Sequence, residues 1–300
     1  MNLIFKIVAV LLVVMLIPES TIASIKSSVK KKEGLIEQHF KGNGVWIYNE
    51  IMLTGNNYEP FVDMAKDKGM NYVIIKAYDG AAWGTRNKNR HFTSQLNDSM
   101  AKAFHRKGIK CYAYGTANLR KDSDIKQAIQ HAVNTLHKTS VDGLVLDDVF
   151  ARGQEKTKTE QLFSGIRGHL RHCKQCQKKP LAFSTFPHVA SQAYPWGIPF
   201  KYSDYYLPQL YWTELKRTPT GTVAKFQSDW SNFQKHNPKL KCRVIPVGQT
   251  IGKATVTPEQ INTFVRQAKT YGYQDFAFYR WDGTSLAEWQ TIKKATKKKT

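Results

Sequence analysis

From residue 45 onward, short runs rich in β-branched and aromatic residues alternate with longer stretches of helical pattern. The apolar runs are Val45–Tyr48, Tyr72–Ala77, Lys110–Tyr114, Gly143–Leu146, Leu181–Ser184, Tyr205–Leu210, Arg243–Val247 and Asp275–Tyr279. Between and after them, helices are predicted over Tyr58–Lys68 (stopped by Gly69), Ser94–Lys107 (stopped by Gly108), Asp122–His137, Thr159–His172, Val223–His236, Pro258–Tyr271 and Ser285–Ala295. Asp122 or Ser123 is the expected cap of the third helix, and Thr257-Pro258 is a cap-plus-first-turn signature. The segment after the fifth run, PHVASQAYPWGIPFKYS, reads as an extended loop with short helical pieces. Strands alternating with helices are the mark of parallel βαβ units. Eight of them predict an α/β fold, a single (β/α)8 TIM barrel. No Gly-rich phosphate loop follows any strand, which argues against a nucleotide-binding sheet.

The first residues break this pattern. Residues 2–17 are apolar apart from Asn2 and Lys6, and Pro18 and Thr21-Ile22-Ala23 follow. That is the form of a signal peptide, with cleavage expected near Ala23 and a secreted or periplasmic location. The expected organisation is a signal peptide (1–23), a basic linker (24–40), the barrel domain (41–295) and a basic tail (296–300). No membrane span is expected after cleavage. The formal charge of +22 would concentrate an exported protein near anionic envelope polymers, though the lysines are spread along the chain and no specific nucleic-acid site is implied. Of the four cysteines, Cys111 and Cys242 are expected to be small buried hydrophobes. Cys173 and Cys176 sit beside His169 and His172, a possible zinc set. A local cysteine pair at a surface helix end is the preferred interpretation, with no metal or other cofactor.

Function in such a barrel gathers where the strands end. The first strand end offers Trp46, Tyr48, Asn49 and Glu50; the second Lys76, Tyr78 and Asp79, with Trp83 beyond; the third Tyr112, Tyr114, Thr116 and Asn118. Asp147 and Asp148 end the fourth, and Ser184, Thr185 and His188 the fifth. Gln209, Tyr211, Trp212 and Glu214 follow the sixth, Gln249 the seventh, and Arg280, Trp281 and Asp282 the eighth. Sugars stack their C–H faces on rings and bond their hydroxyls to amides and carboxylates, so this mixture suits a polysaccharide. VDGLVLDDVF is the sharpest feature: an apolar strand ending in adjacent carboxylates that must diverge, because side chains alternate along a strand. Glycoside hydrolysis usually takes two carboxyl groups. Asp147 or Asp148 is the candidate for one and Asp79 for the other. Trp46, Tyr48, Lys76, Tyr78, Tyr114, Gln209, Tyr211, Trp212, Trp281 and Asp282 are the expected substrate contacts.

On VIIKAYDG, DGLVLDDVF, LPQLYW and FAFYRWDG, the chain from about Gly44 to Trp289 resembles glycoside-hydrolase-like TIM barrels of exported bacterial proteins. It is distantly similar to family-18 chitinases at Asp142-Gly143, Asp147, Tyr211 and Trp281. Their Asp-Gly-x-Asp-x-Asp-x-Glu motif, however, places its acidic Glu on Val149 and its first inner Asp on Val145. Family-25 lysozymes carry Asp-x-Glu on the fourth strand and Asp on the first, where this chain has Asp147-Asp148-Val149 and Val45-Trp46-Ile47. The resemblance implies a glycoside hydrolase acting on an extracellular or cell-envelope polysaccharide, expected as a monomer. The alternatives are a catalytically inactive carbohydrate-binding barrel and a basic polyanion-binding scaffold.

Overall fold

A computed structural model describes residues 39–48, 58–79, 96–117, 119, 121–148, 156–191, 194–240 and 242–296. The predicted leader, Asn49, Glu50, Trp83, Asn118, Val149 and residues 297–300 of the basic tail lie outside the described residues, as does the side chain of Asp79. All the elements below belong to one compact unit, Phe40–Thr300.

The strands and helices alternate as the pattern predicts. In order they are β1 (Asn43–Ile47), α1 (Glu59–Asp67), β2 (Tyr72–Asp79), α2 (Asp98–Arg106), β3 (Lys110–Thr116), α3 (Asp122–His137), β4 (Gly143–Asp147) and α4 (Lys156–His172). There follow β5 (Leu181–Thr185), α5 (Gly197–Tyr202), β6 (Tyr205–Pro208), α6 (Pro219–His236), β7 (Arg243–Val244), β8 (Val247–Gln249), α7 (Pro258–Thr270), β9 (Phe276–Tyr279), a 3-10 turn (Trp281–Gly283) and α8 (Leu286–Ala295). All pairings are parallel, in the spatial order β7-β6-β5-β4-β3-β2-β1-β9-β8. The β7–β8 break is one barrel strand interrupted at Ile245-Pro246; proline has no N–H to donate to a ladder. The ring still joins there, through Ile245 N to Tyr206 O (2.9 Å), Leu210 N to Val247 O (2.9 Å) and Ala277 N to Pro246 O (3.0 Å). A curled, all-parallel sheet with helices around it is the expected (β/α)8 class.

One local expectation is revised. Asp122 is already helical and Lys121 occupies the cap position without a side-chain bond; Asp122 and Asp124 instead place charge on the positive end of the α3 dipole. The loop after β5 carries a short helical piece as expected, α5, whose Ile198 and Phe200 are buried. The Thr257 cap forms with Gln260 as a reciprocal capping box.

Alternation along the strands builds two apolar layers. Val45, Ile47, Val73, Ile75, Cys111, Ala113, Leu144, Leu146, Leu181, Phe183, Phe276 and Phe278 pack outward with the helices. The intervening side chains fill the barrel. At its lower end, where the strands begin, Phe40 is a plug: it stacks on Tyr112 at 3.9 Å and meets the edges of Tyr72 and Tyr205 at 5.4 and 4.9 Å. Tyr72 donates to Phe276 O (2.7 Å), and Phe40 N donates to Tyr112 Oη (3.1 Å). Asp142 belongs to this lower end too. Its carboxylate accepts from Cys111 N at 2.7 Å and lies 2.7 Å from His105 Nε2, so it braces β3 against β4, far from the upper strand ends.

Candidate active site

The upper strand ends carry a cluster built by alternation. On β4, Val145 points inward and Asp147 is the next inward residue. On β5 the register partner of Asp147 is Ser184, and on β3 it is Thr116. Gln209, just past β6, is buried and donates from Nε2 to Asp147 Oδ1 at 2.9 Å and to Ser184 Oγ at 3.1 Å. From the other side β2 delivers Lys76, 4% exposed, whose register partner is Tyr114. Its ammonium lies 5.2 Å from the Tyr114 ring and 5.3 Å from that of Tyr48, inside the range of a cation–π contact. Trp46 forms the floor, edge-on to Tyr114 at 4.8 Å. Tyr211 and Tyr279 stack at 5.6 Å and close the opposite wall. Arg280 reaches over Tyr48 and Tyr279 (5.3 and 5.9 Å) and pairs with Asp282 at 2.7 Å.

The electrostatics of this cluster centre on Asp147. Burial pushes its ionisation up, the neighbouring Asp148 carboxylate pushes it further, and Lys76, the Asp148 N–H and the Ser184 hydroxyl pull it down. Burial and like charge win, and the carboxyl is raised from 3.8 to about 7. Asp147 therefore holds a proton through the acidic and near-neutral range, as a general acid must. Since Oδ1 accepts from Gln209, the proton belongs on Oδ2. The Asp147 and Asp148 charges also raise the Tyr211 hydroxyl, second to its own burial, so Tyr211 stays a neutral donor beside them.

Asp148 diverges from Asp147, as alternation requires. Its φ is +52°, in the left-handed region that aspartate tolerates better than most residues, and its N–H donates to Ser184 O at 2.9 Å. The β4 backbone thus turns just after Asp147. Asp79 ends β2 with its backbone in register with Thr116, the same β3 residue that pairs with Asp147.

The structure corrects three expected substrate contacts. Tyr78 faces outward, its ring stacked on His131 of α3 at 5.7 Å and filling the space over Gly115. The cause is a register shift between Lys76 and Tyr78. Trp212 is 1% exposed and packs on Phe264 of α7 at 5.6 Å. Trp281 is sandwiched between Phe61 of α1 (4.7 Å) and Trp289 of α8 (4.9 Å). All three belong to the outer helix-facing core. Two residues that were not among the expected contacts take their place. Tyr279 alternates with the inward Ala277 and was legible from that spacing; Ser184 follows Ala182 in the same way. Gln249 is fully buried and structural, bonding Thr213 and Ile251. A separate depression of about 710 Å³, lined by Val189, Tyr194, Trp196 and Phe233 among others, shares no residue with the Asp147 cluster.

No family model and no curated protein sequence matches the chain. Solved structures do match its fold. The PgaB (BpsB) glycoside hydrolase domain from Bordetella bronchiseptica aligns with a TM-score of 0.61 at 12% identity, over 87% of this chain and 100% of that one. A chitinase from Chromobacterium violaceum aligns at 0.57 and 11% identity, over 86% and 100%. The chitinase-like agglutinin from Robinia pseudoacacia aligns at 0.59 and 10% identity, over 85% and 99%. The chain has a TIM-barrel-like fold of the kind found in glycoside hydrolases, at low sequence identity.

Proposed function

We propose that the protein is a glycoside hydrolase acting on an extracellular or cell-envelope polysaccharide, with Asp147 as the proton donor. One observation carries this: a partly buried carboxyl at the mouth of the barrel keeps its proton to about pH 7, among aromatic rings and beside the Gln209 amide. The Asp147 Oδ2 proton passes to the glycosidic oxygen as its bond to the anomeric carbon breaks. Water supplies the hydroxyl to that carbon, and its remaining proton returns to a carboxylate. Asp148 is the proposed second carboxylate, adjacent and electrostatically coupled; Asp79, at the end of β2, is the alternative. Lys76 limits how far the Asp147 ionisation rises, and Tyr48 and Tyr211 are proposed to stack sugar rings. The apolar leader supports export, and the charge of +22 supports retention near anionic envelope polymers.

The test is release of reducing ends from cell-wall and amino-sugar polymers. Asp147→Asn should lower turnover by roughly 10²- to 10⁴-fold, the usual worth of a general acid. Undiminished cleavage by both Asp147→Asn and Asp148→Asn would end the assignment. The agglutinin that shares this fold favours a second reading, a barrel that binds glycan without cleaving it. It predicts saturable binding weakened by Tyr211→Ala with no new reducing ends, and any turnover excludes it.

A further inference from the structure

At the lower face of the barrel, opposite the Asp147 cluster, α3 and α4 end side by side. His137 is the last residue of α3. His169 lies in the last turn of α4, and Cys173 follows one turn later on the same face, its N–H bonded to His169 O at 3.0 Å. The chain then turns tightly, with Cys176 N and Gln177 N both donating to Cys173 O, and this returns Cys176 beneath the helix ends, fully buried. His137 Nε2 and His169 Nε2 face each other at 2.9 Å, and one donor atom from each of His137, His169, Cys173 and Cys176 lies within 4.8 Å of every other. Cys173 and Cys176 are joined as a disulfide. His172, the histidine suggested by sequence spacing alone, is exposed on α4 and outside the group; a residue 32 positions before His169 replaces it.

We propose that, when Cys173 and Cys176 are reduced, these four side chains bind one tetrahedral divalent ion of the zinc class. Two imidazoles and two thiolates are a recurrent donor set for such an ion. Metal–sulfur bonds of about 2.3 Å and metal–nitrogen bonds of about 2.0–2.1 Å put neighbouring donors roughly 3.3–3.8 Å apart, within the span already present. The two Nε2 atoms converge on one point as ligands do. A protein dithiol is a sufficient reductant: the S–S bond breaks, each sulfur gains an electron and a proton, and the reductant becomes its own disulfide. The ion then displaces both thiol protons. The site ties α3, α4 and the turn before β5 together at the face that stabilises a barrel rather than the face that does its chemistry. Exchange with a protein disulfide, which takes the two electrons and becomes a dithiol, reforms the Cys173–Cys176 bond, removes two ligands and releases the ion.

The experiment is a cobalt titration of the full chain, reduced with a phosphine and freed of metal by chelation. One cobalt per chain is expected, with the absorption of a tetrahedral cobalt–thiolate centre, and zinc should displace it. Oxidised chain and the Cys173→Ser, Cys176→Ser double variant should give no such band. His137→Gln and His169→Gln, checked for native circular dichroism, should each bind at least tenfold more weakly, while His172→Gln should bind as the parent does. Zinc should also slow alkylation of Cys173 and Cys176 at least tenfold. Absence of the thiolate–cobalt band in the reduced parent would overturn the proposal, as would undiminished affinity in both His137→Gln and His169→Gln.

Discussion

Asp147→Asn separates an acid held protonated by the fold from an ordinary surface carboxylate, through stability alone and without a substrate. The Asp147 carboxyl, normally ionised at 3.8, ionises in the folded chain at about 7. Between those pH values the folded state binds a proton that the unfolded state has released. Stability must therefore fall as pH rises through this window, because unfolding releases that proton and a rising pH favours its release. Each pH unit is worth 1.36 kcal/mol, so ionising Asp147 in place costs about 4 kcal/mol once the pH exceeds 7, an upper bound because the site retains some solvent contact. Asparagine keeps the shape and keeps an Oδ1 for Gln209 to donate to, but it cannot ionise. The variant and parent should differ by a constant offset below pH 4. From there the variant should gain steadily, ending as much as about 4 kcal/mol better, relative to that offset, at pH 8.5. Urea unfolding at pH 4, 6 and 8.5 measures it. A difference that does not change with pH, or one that grows in the parent's favour, would refute the account of a buried, proton-holding Asp147.

Further expectations follow from the same geometry. The midpoint of the Asp147 ionisation, followed by carbon NMR of its carboxyl, should move in opposite directions in two variants: up in Lys76→Met, which removes the nearby positive charge, and down in Asp148→Asn, which removes the like charge. Movement in one direction in both would contradict the charge arrangement. Trp281→Ala should cost about 3–5 kcal/mol of stability, as expected for a large ring lost from a core, while Tyr48→Ala should leave stability nearly unchanged and weaken glycan binding; calorimetry and denaturation distinguish them. Gly115→Ala would place a Cβ 2.2 Å from the Tyr78 ring, so a loss of about 1–3 kcal/mol in chemical denaturation is expected, and a neutral result would show that Tyr78 moves aside freely.

Much of the fold was legible because each strand is short, β-branched or aromatic, and separated from the next by a helix with a readable stop. The interruption at Ile245-Pro246 was visible as a proline but not as a break, since the strand keeps its place in the ring through carbonyl acceptors and the neighbouring N–H groups. Asp147 stood out because a strand rarely ends in two carboxylates. What made it chemically distinctive did not stand out. Gln209 is 62 residues away in sequence, Lys76 is 71 away, and only barrel closure brings both onto one carboxyl. The His137 contribution to the cysteine cluster was hidden for the same reason: adjacent helices in the ring end together, and local spacing points to His172 instead.

The three displaced aromatics show where simple alternation works and where it stops. Gln209 and Tyr211 face inward, so Trp212 had to face α7, and parity alone was sufficient to assign it. Tyr78 has the same parity as Tyr72, Ile74 and Lys76 and should have faced inward. The register shift between Lys76 and Tyr78 reverses it, and Gly115 on β3, lacking a Cβ, leaves the space its ring fills. Trp281 follows Ala277 and Tyr279 at the same spacing, but the chain leaves extended geometry after Tyr279 and enters a 3-10 turn, so strand parity no longer applies. Each lost ring is an outer-core anchor at the edge of the pocket. The aromatic wall is accordingly narrower than strand-end composition suggests: Trp46 and Tyr114 in the floor, and Tyr48, Tyr211 and Tyr279 around Asp147. On the proposed glycosidase reading, a sugar would meet Tyr211 and Tyr279 on one side and Tyr48 beside Lys76 on the other, with Tyr114 buried beneath.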